Sequence, residues 1–257
     1  LFSQIDYASG KQRTIYLMIE PDKSLPFTGN YKSEGFVVGA EHFQPARTVK
    51  VPLLPDDELL AQMHQKTRYS VRLAERRGVE MIRRDGEPEA ISAFYELLED
   101  TSARNEFGIH SRAYYADFLE VFGEDALLLF ASIEGVTAAG LIAAKFNEEA
   151  IYMYGASSTE HRAHGGAFAL QFEAMRWARE HGAVRYDLWG IPKEDPVTTS
   201  LDDQKRVAGT RGSDWRGLYK FKTGFGGEIV CYPPTLERRY RKALSFAARQ
   251  LYDRSGT

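Results

Sequence analysis

"RAHGGA", residues 162–167, stands between a strand-like run, "EAIYMYGASS", and an amphipathic run, "GGAFALQFEAMRWAREHG". Phe168, Phe172, Met175 and Ala178 recur at helical spacing, so paired glycines open a helix soon after a strand. Backbone N–H groups at such a helix start, with the positive end of the helix dipole, can receive a pyrophosphate-like anion. Upstream, "ALLLFASIEG", "TAAGLIAAKFN" and "EAIYMYGASS" are separated by "EGVT" and "NEE", turn lengths that suit an antiparallel meander. Downstream, "AVRYDLWGI" reads as a further strand. Ahead of the meander, "EPEAISAFYELLEDTSARN" and "SRAYYADFLEVFG" read as helices, with Pro88 tolerated near the start of the first.

Further towards the start, "PDDELLAQMHQKTRYSVRLAERRG" reads as one helix. Asp56 or Asp57 caps it, Leu60, Met63, Thr67, Val71 and Ala74 form its buried stripe, and Gly78 ends it. "TIYLMIE", "RTVKVPL" and "VEMIRR" are strand-like, residues 192–214 are a polar loop, and "TLERRYRKALSFAARQLYD" reads as a closing helix. The expected class is α+β with a mostly antiparallel mixed sheet. This element order, with Arg162-x-x-Gly165-x-Ala167, resembles the acyltransferase fold called GNAT.

The 257 residues are 43% hydrophobic and 27% charged, a globular make-up sufficient for one large or two modest domains. No apolar run approaches the roughly 20 residues needed to cross a bilayer. Cys231 is the only cysteine, which excludes an internal disulfide and fits a reducing cytoplasm. The opening "LFSQIDYASGKQ" lacks Met and reads as part of an amphipathic element, so protein is expected before Leu1. Net charge is −3, yet residues 66–84 hold seven Lys or Arg against two Glu, and residues 236–254 hold six against two acids. Such segments suit a polyanionic or phosphorylated ligand, or are solvated helix faces. His64, Arg68, Arg72 and Arg76 recur every fourth residue and so form one row, in which like charges repel by a few tenths of a kcal/mol per pair.

In "YKFKTGFGGE", residues 219–228, Lys222 follows an aromatic and precedes three glycines. One reading is that bare backbone admits a large anionic ligand beside the ammonium. The other is a lysine snorkelling from a strand edge beside a glycine bulge.

"KTRYSVRLAERRGVE", "YMYGASS", "VRYDLWGI" and above all "GLYKFKTGFGGEIVCY" resemble, in order and spacing from about Glu20 onward, the Fem family of peptidoglycan bridge-forming aminoacyltransferases. The resemblance implies tandem GNAT-like domains without the long coiled-coil arm of some members. Residues 1–84 would finish an incomplete first domain, 85–232 would form the second, and 233–257 would be a helix packing back on the first. It further implies transfer of an amino acid from aminoacyl-tRNA to the side-chain amine at the third stem-peptide position of a peptidoglycan precursor. Lys222 would be the cation that stabilises the tetrahedral oxyanion, with Phe221 beside the terminal adenosine or the aminoacyl group. Arg112, Tyr115 and Tyr154 are the nearest matches to the family's precursor-binding residues, although spacing leaves Tyr114 as an alternative to Tyr115. An Arg suits a diphosphate because its planar fork donates to two oxygens.

The row of Arg68, Arg72 and Arg76 is a candidate track for tRNA phosphates, or for an anionic membrane surface, or a plain solvated face. No cofactor beyond the aminoacyl-tRNA co-substrate and no metal are expected, and the chain is expected to be a cytoplasmic monomer with peripheral contact at the inner membrane face. No general base is evident: the attacking amine would lose its proton to water, to a substrate group or to Asp187, the candidate side chain. Two rivals stand beside this reading: an acyl-CoA-dependent N-acyltransferase using "RAHGGA" for the coenzyme pyrophosphate, and a non-catalytic precursor- or tRNA-binding protein. The transferred amino acid, and lipid II against a UDP-linked acceptor, depend on pocket shape rather than motif.

Overall fold

A computed structural model describes residues 2–22, 31–39, 44–105, 107–195, 215–242 and 244–245. In chain order, the first elements are α1 (Phe2–Lys11), β1 (Tyr16–Ile19), β2 (Val37–Val38), β3 (Arg47–Pro52), α2 (Asp56–Gln62), α3 (Gln65–Arg76) and β4 (Glu80–Arg84). Then come α4 (Pro88–Asn105), α5 (Arg112–Phe122), β5 (Ala126–Ile133), β6 (Val136–Phe146), β7 (Glu149–Ser157) and α6 (Gly166–Glu180). The last are β8 (Arg185–Gly190), α7 (Trp215–Thr223), β9 (Glu228–Cys231) and β10 (Leu236–Arg239). Most of the expected polar loop and the end of the expected closing helix lie outside the described residues.

The chain divides into two compact units, Leu1–Ala46 with Cys231–Thr257, and Arg47–Val230. In the first, β10 lies between β1 and β2 and pairs antiparallel with both. Phe36 is buried with Phe2 edge-on at 5.2 Å, and Arg238 stacks near both rings while pairing with Asp6 at 2.5 Å. The start of the expected closing helix is corrected here, because Leu236–Arg239 is a strand. A central position satisfies backbone groups on both sides, which outweighs the weak helical pattern of "LERR".

The second unit carries a seven-stranded sheet in the order β4-β5-β6-β7-β8-β3-β9. The meander pairs antiparallel as expected, β3 runs antiparallel to β8, and β7 and β8 are parallel. Alternation along β5 and β6 sends Leu127, Leu129, Ala139 and Leu141 to one face, with Val71 of α3 and Leu170, Ala174 and Met175 of α6. Leu128, Phe130 and Ile142 face the other way, onto Ile91, Phe94 and Leu98 of α4 and Tyr115 and Leu119 of α5. The α+β class with a mostly antiparallel mixed sheet is thus realised as helix, sheet and helix layers.

The single helix expected over residues 56–77 is two. Met63 (ψ 148°) and His64 (ψ 146°) are extended, and Arg68 donates from one guanidinium nitrogen to the carbonyls of Leu60, Ala61 and Met63. They lie at the end of α2, where a helix runs short of N–H donors, and Leu60 accepts from Met63 N–H as well. Neither Asp56 nor Asp57 caps α2, whose N-cap is Pro55; Asp56 pairs instead with Arg176 and Arg179. The buried stripe holds at Met63, Thr67, Val71 and Ala74, with Leu60 half-buried. Replacing Arg68 with Met keeps the stem but strips these carbonyls of their donor, so unfolding free energy should fall by about 1–3 kcal/mol in a urea titration.

Candidate functional site

β7 and β8 pair only at Glu149–Arg185, Ala150–Tyr186 and Ile151–Asp187. Beyond this short parallel ladder, no pairing joins them, and the opened sheet contains a cavity of about 640 Å³. Its lining includes Tyr152, Met153 and Gly155 of β7, Trp189 of β8, the opening residues of α6, and Leu218, Phe221 and Lys222 of α7. Thr101 and Arg104 of α4 also line it, so the cavity meets elements from both faces of the sheet.

Lys222 sits in the last turn of α7 and is 5% exposed. Its ammonium donates to the Gly190 carbonyl at 2.8 Å and lies 5.7 Å from the centre of the Tyr152 ring. Burial pushes its pKa down to about 8, against the opposing charge of Asp187. Phe221 beside it packs edge-on to Phe168 (5.0 Å) and Phe225 (5.3 Å). Tyr152, which the sequence reading did not single out, forms the wall opposite Lys222. Burial pushes its phenol up to about 12, so it stays a neutral donor at ordinary pH. Lys222 therefore hangs from a helix into a cavity and not from a strand edge.

The three glycines after Lys222 have another cause than ligand approach. Gly226 (φ +84°) and Gly227 (φ +82°) are left-handed, and a Cβ on them would lie 2.7 Å from the Gln62 carbonyl oxygen and 2.3 Å from the Lys50 carbonyl oxygen. A Cβ on Gly224 would lie 2.3 Å from Thr67 Oγ1, and the Gly224 carbonyl accepts from His64 N–H. The bare backbone seats the end of α7 on the α2–α3 joint and on β3. It fixes where Lys222 stands without lining the cavity. The "RAHGGA" glycines are packing residues too: Gly165 (φ +79°) passes so close to α3 that a Cβ would lie 2.5 Å from the Ser70 carbonyl oxygen. Gly166, Ala167 and Phe168, at the start of α6, do line the cavity.

Asp187 does not line the cavity and is almost fully buried. Its Oδ1 accepts from the Thr48 hydroxyl and from Trp189 N–H (2.7 Å), and its Oδ2 lies 3.7 Å from Lys50 Nζ. Burial raises its pKa, while Thr48, Trp189 and Lys50 act the other way. This geometry makes it an internal acceptor and not the general base that the sequence raised. Trp189, two residues on, has φ +62°, a conformation that costs a non-glycine residue about 1–2 kcal/mol.

Arg112, Tyr115 and Tyr154 gather on the α4–α5 side and do not line the cavity with Lys222 and Phe221. The register shift that sets Ile142 opposite Tyr154 but Ala143 opposite Tyr152 sends these two tyrosines to opposite faces. Tyr154 hydroxyl bonds Tyr114 hydroxyl at 2.9 Å, and Tyr114 stacks on His110 at 4.0 Å. Tyr115 is buried, with its hydroxyl taking the His110 N–H, so Tyr114 is the more exposed of the pair. Burial and the Tyr114 bond raise the Tyr154 pKa. Arg112 is exposed, 5.3 Å from the centre of the Tyr95 ring, and donates to Ser92.

Of the basic row, Arg68 is committed to the α2–α3 joint, whereas Arg72 and Arg76 are exposed, Arg76 over the Tyr69 ring at 5.4 Å. Arg77, also exposed, donates to the Ala163 carbonyl just ahead of α6. Among the described residues, no group of His, Cys, Asp and Glu is placed to hold a metal, and no helix is long and apolar enough to cross a membrane.

The model of the FemAB family matches residues 29–135 and 133–253. A lipid II:glycine glycyltransferase of Staphylococcus epidermidis is 25% identical over 300 residues, covering 86% of this chain and 71% of that protein. The enzyme of the same name from Staphylococcus aureus is 24% identical over 282 residues, covering 79% of this chain and 66% of its own. The crystal structure of FemX superposes with a TM-score of 0.82 at 21% identity, covering 96% of this chain and 78% of that one.

Proposed function

The chain belongs to the FemAB family, and we propose that it moves an aminoacyl group from aminoacyl-tRNA to the side-chain amine of the third stem-peptide residue of a peptidoglycan precursor. The carrying observation is Lys222, a buried ammonium in a cavity wall, held among the described residues by a bond to the Gly190 carbonyl. An ammonium has three donors, so two remain for a ligand oxygen. As the amine attacks the ester carbon, the C–N bond forms, the carbonyl oxygen becomes an oxyanion and Lys222 donates to it. Collapse breaks the bond to the ribose oxygen of the tRNA 3′ end, which leaves with the proton that the amine gives up. Phe221 packs along the donor. Cys231 is exposed and outside the cavity, in keeping with direct transfer without a covalent enzyme intermediate.

The donor enters from the α6–α7 side. There α3 lies beside both helices, through Thr67 near Gly224 and Ser70 near Gly165, and its exposed Arg72 and Arg76 meet tRNA phosphates. The acceptor enters from the α4–α5 side, where Arg112 and the Tyr114–Tyr154 pair hold phosphate and sugar. Lipid II is the acceptor that the names of the relatives favour, and it would bring the protein to the inner membrane surface. Replacing Arg72 and Arg76 together with Gln should weaken tRNA binding. The slope of log K against log salt should fall by about 1 for each arginine that meets a phosphate. An unchanged slope would remove this face from the donor site.

One observation favours a second reading, in which an acyl-CoA is the donor: the start of α6 opens into the same cavity. The deciding assay supplies the intact protein with radiolabelled aminoacyl-tRNA or, separately, acetyl-CoA. Each is paired with lipid II or UDP-MurNAc-pentapeptide, and label is followed into the precursor. Transfer from the tRNA supports the proposal, and transfer from acetyl-CoA alone overturns it.

A further inference from the structure

Trp189 is a bulky residue in a left-handed conformation, in the wall of the cavity and next to the carbonyl that holds Lys222. Left-handed backbone at a large side chain persists only where its surroundings impose it, and it concentrates at functional sites. Here the imposing group is identifiable. Asp187 Oδ1 takes the Trp189 N–H at 2.7 Å, closing a local turn at the end of β8, and the same oxygen is anchored to β3 by the Thr48 hydroxyl. The next carbonyl in the chain, Gly190, then receives the Lys222 ammonium at 2.8 Å.

We propose that Asp187 is a positioning residue for Lys222: by holding the left-handed turn at Trp189, it aims the Gly190 carbonyl at the ammonium and supplies the buried negative charge that keeps Lys222 protonated. This rests on the reading of Lys222 as the cation of the transfer. Among the described residues, the charged and titratable groups around Asp187 are Lys50 on β3, Glu149 on β7, the neighbouring Tyr186 and Lys222 itself. Lys50 bonds Glu149 at 2.8 Å and pairs with Asp187 at 3.7 Å, so its charge is shared between the two carboxylates. Facing Lys222 are Asp187, the Gly190 carbonyl and the Tyr152 ring.

Two variants of the intact protein separate the two parts of this role. Asp187→Ala removes the acceptor for Trp189 N–H. A cation moved by a fraction of an ångström to an ångström should cost ten- to a hundredfold in kcat, with the KM of both substrates little changed. Asp187→Asn keeps an acceptor oxygen for Thr48 and Trp189 but loses the charge. It should retain most of kcat at low pH, while Lys222 deprotonates at lower pH than in the parent. That shift is read by pH-dependent reductive methylation of Lys222, followed by mass spectrometry, which needs no turnover. A merely structural Asp187 would lower the melting temperature yet leave the methylation profile in place. That result with Asp187→Asn overturns the proposal, even where Asp187→Ala does not fold. If Lys222→Ala keeps full activity, the cation reading falls by itself, and the methylation profile still reports on Asp187.

Discussion

Replacing Lys222 with Ala should lower kcat/KM for aminoacyl transfer by about 10²–10³-fold, the effect of removing one donor aimed at an oxyanion. The pH profile then tells which protonation state acts. Burial lowers the Lys222 pKa to about 8, whereas the attacking amine of a free lysine-like side chain titrates near 10.4. If the ammonium stabilises the oxyanion, the rate below pH 8 climbs with the neutral fraction of the amine. Above pH 8 that gain is cancelled by loss of the Lys222 proton, so the profile flattens. Lys222→Arg removes the break, because a guanidinium stays charged, and the rate climbs on past pH 8. An Arg variant as inactive as the Ala variant, or a parent profile rising unbroken through pH 8, would show that Lys222 does not act as a cation. The same shift carries a stability consequence. Between about 8 and the ordinary lysine range, the unfolded chain binds the proton that the folded chain has lost, so stability should rise with pH across that window.

The second large effect concerns folding. Gly227→Ala places a Cβ 2.3 Å from the Lys50 carbonyl oxygen and 2.8 Å from Val51 Cα, in a residue already at φ +82°. Left-handed strain and overpacking each cost about 1–3 kcal/mol, and here the neighbour is backbone that has no rotamer to change. The expected loss is about 3 kcal/mol, which lowers the melting temperature by roughly 10 °C for a unit of this size. Were the glycine there to admit a ligand, the variant would melt like the parent and fail only in binding. A thermal melt without substrates separates the two outcomes.

The helices and meander strands were legible in the sequence because each is written in its own periodicity. Met63, Thr67, Val71 and Ala74 mark a buried face wherever the chain breaks between them, and the alternation of β5 and β6 sorts their side chains onto two cores. The turn at Gly165 was legible for the same local reason, since left-handed backbone after a strand calls for glycine. Lys222 was legible as an oddity of composition, a charge among aromatics and glycines, although the meaning of those glycines was not.

What the sequence by itself determined was therefore the order and type of most elements, the mostly antiparallel sheet and the candidate cation. Each follows from burial patterns or backbone preferences contained within one short segment. Only the tertiary structure decided that Tyr152 and Tyr154 face opposite ways, since a one-residue shift against β6 has no signature in "YMYGASS". It also decided that Arg68 serves the α2–α3 joint, that "LERR" is a strand, and that β7 and β8 part after three pairs to leave the cavity. In each case the deciding partner lies elsewhere in the chain. Register, carbonyl acceptors and close backbone approach are properties of two segments brought together, and neither segment states them alone.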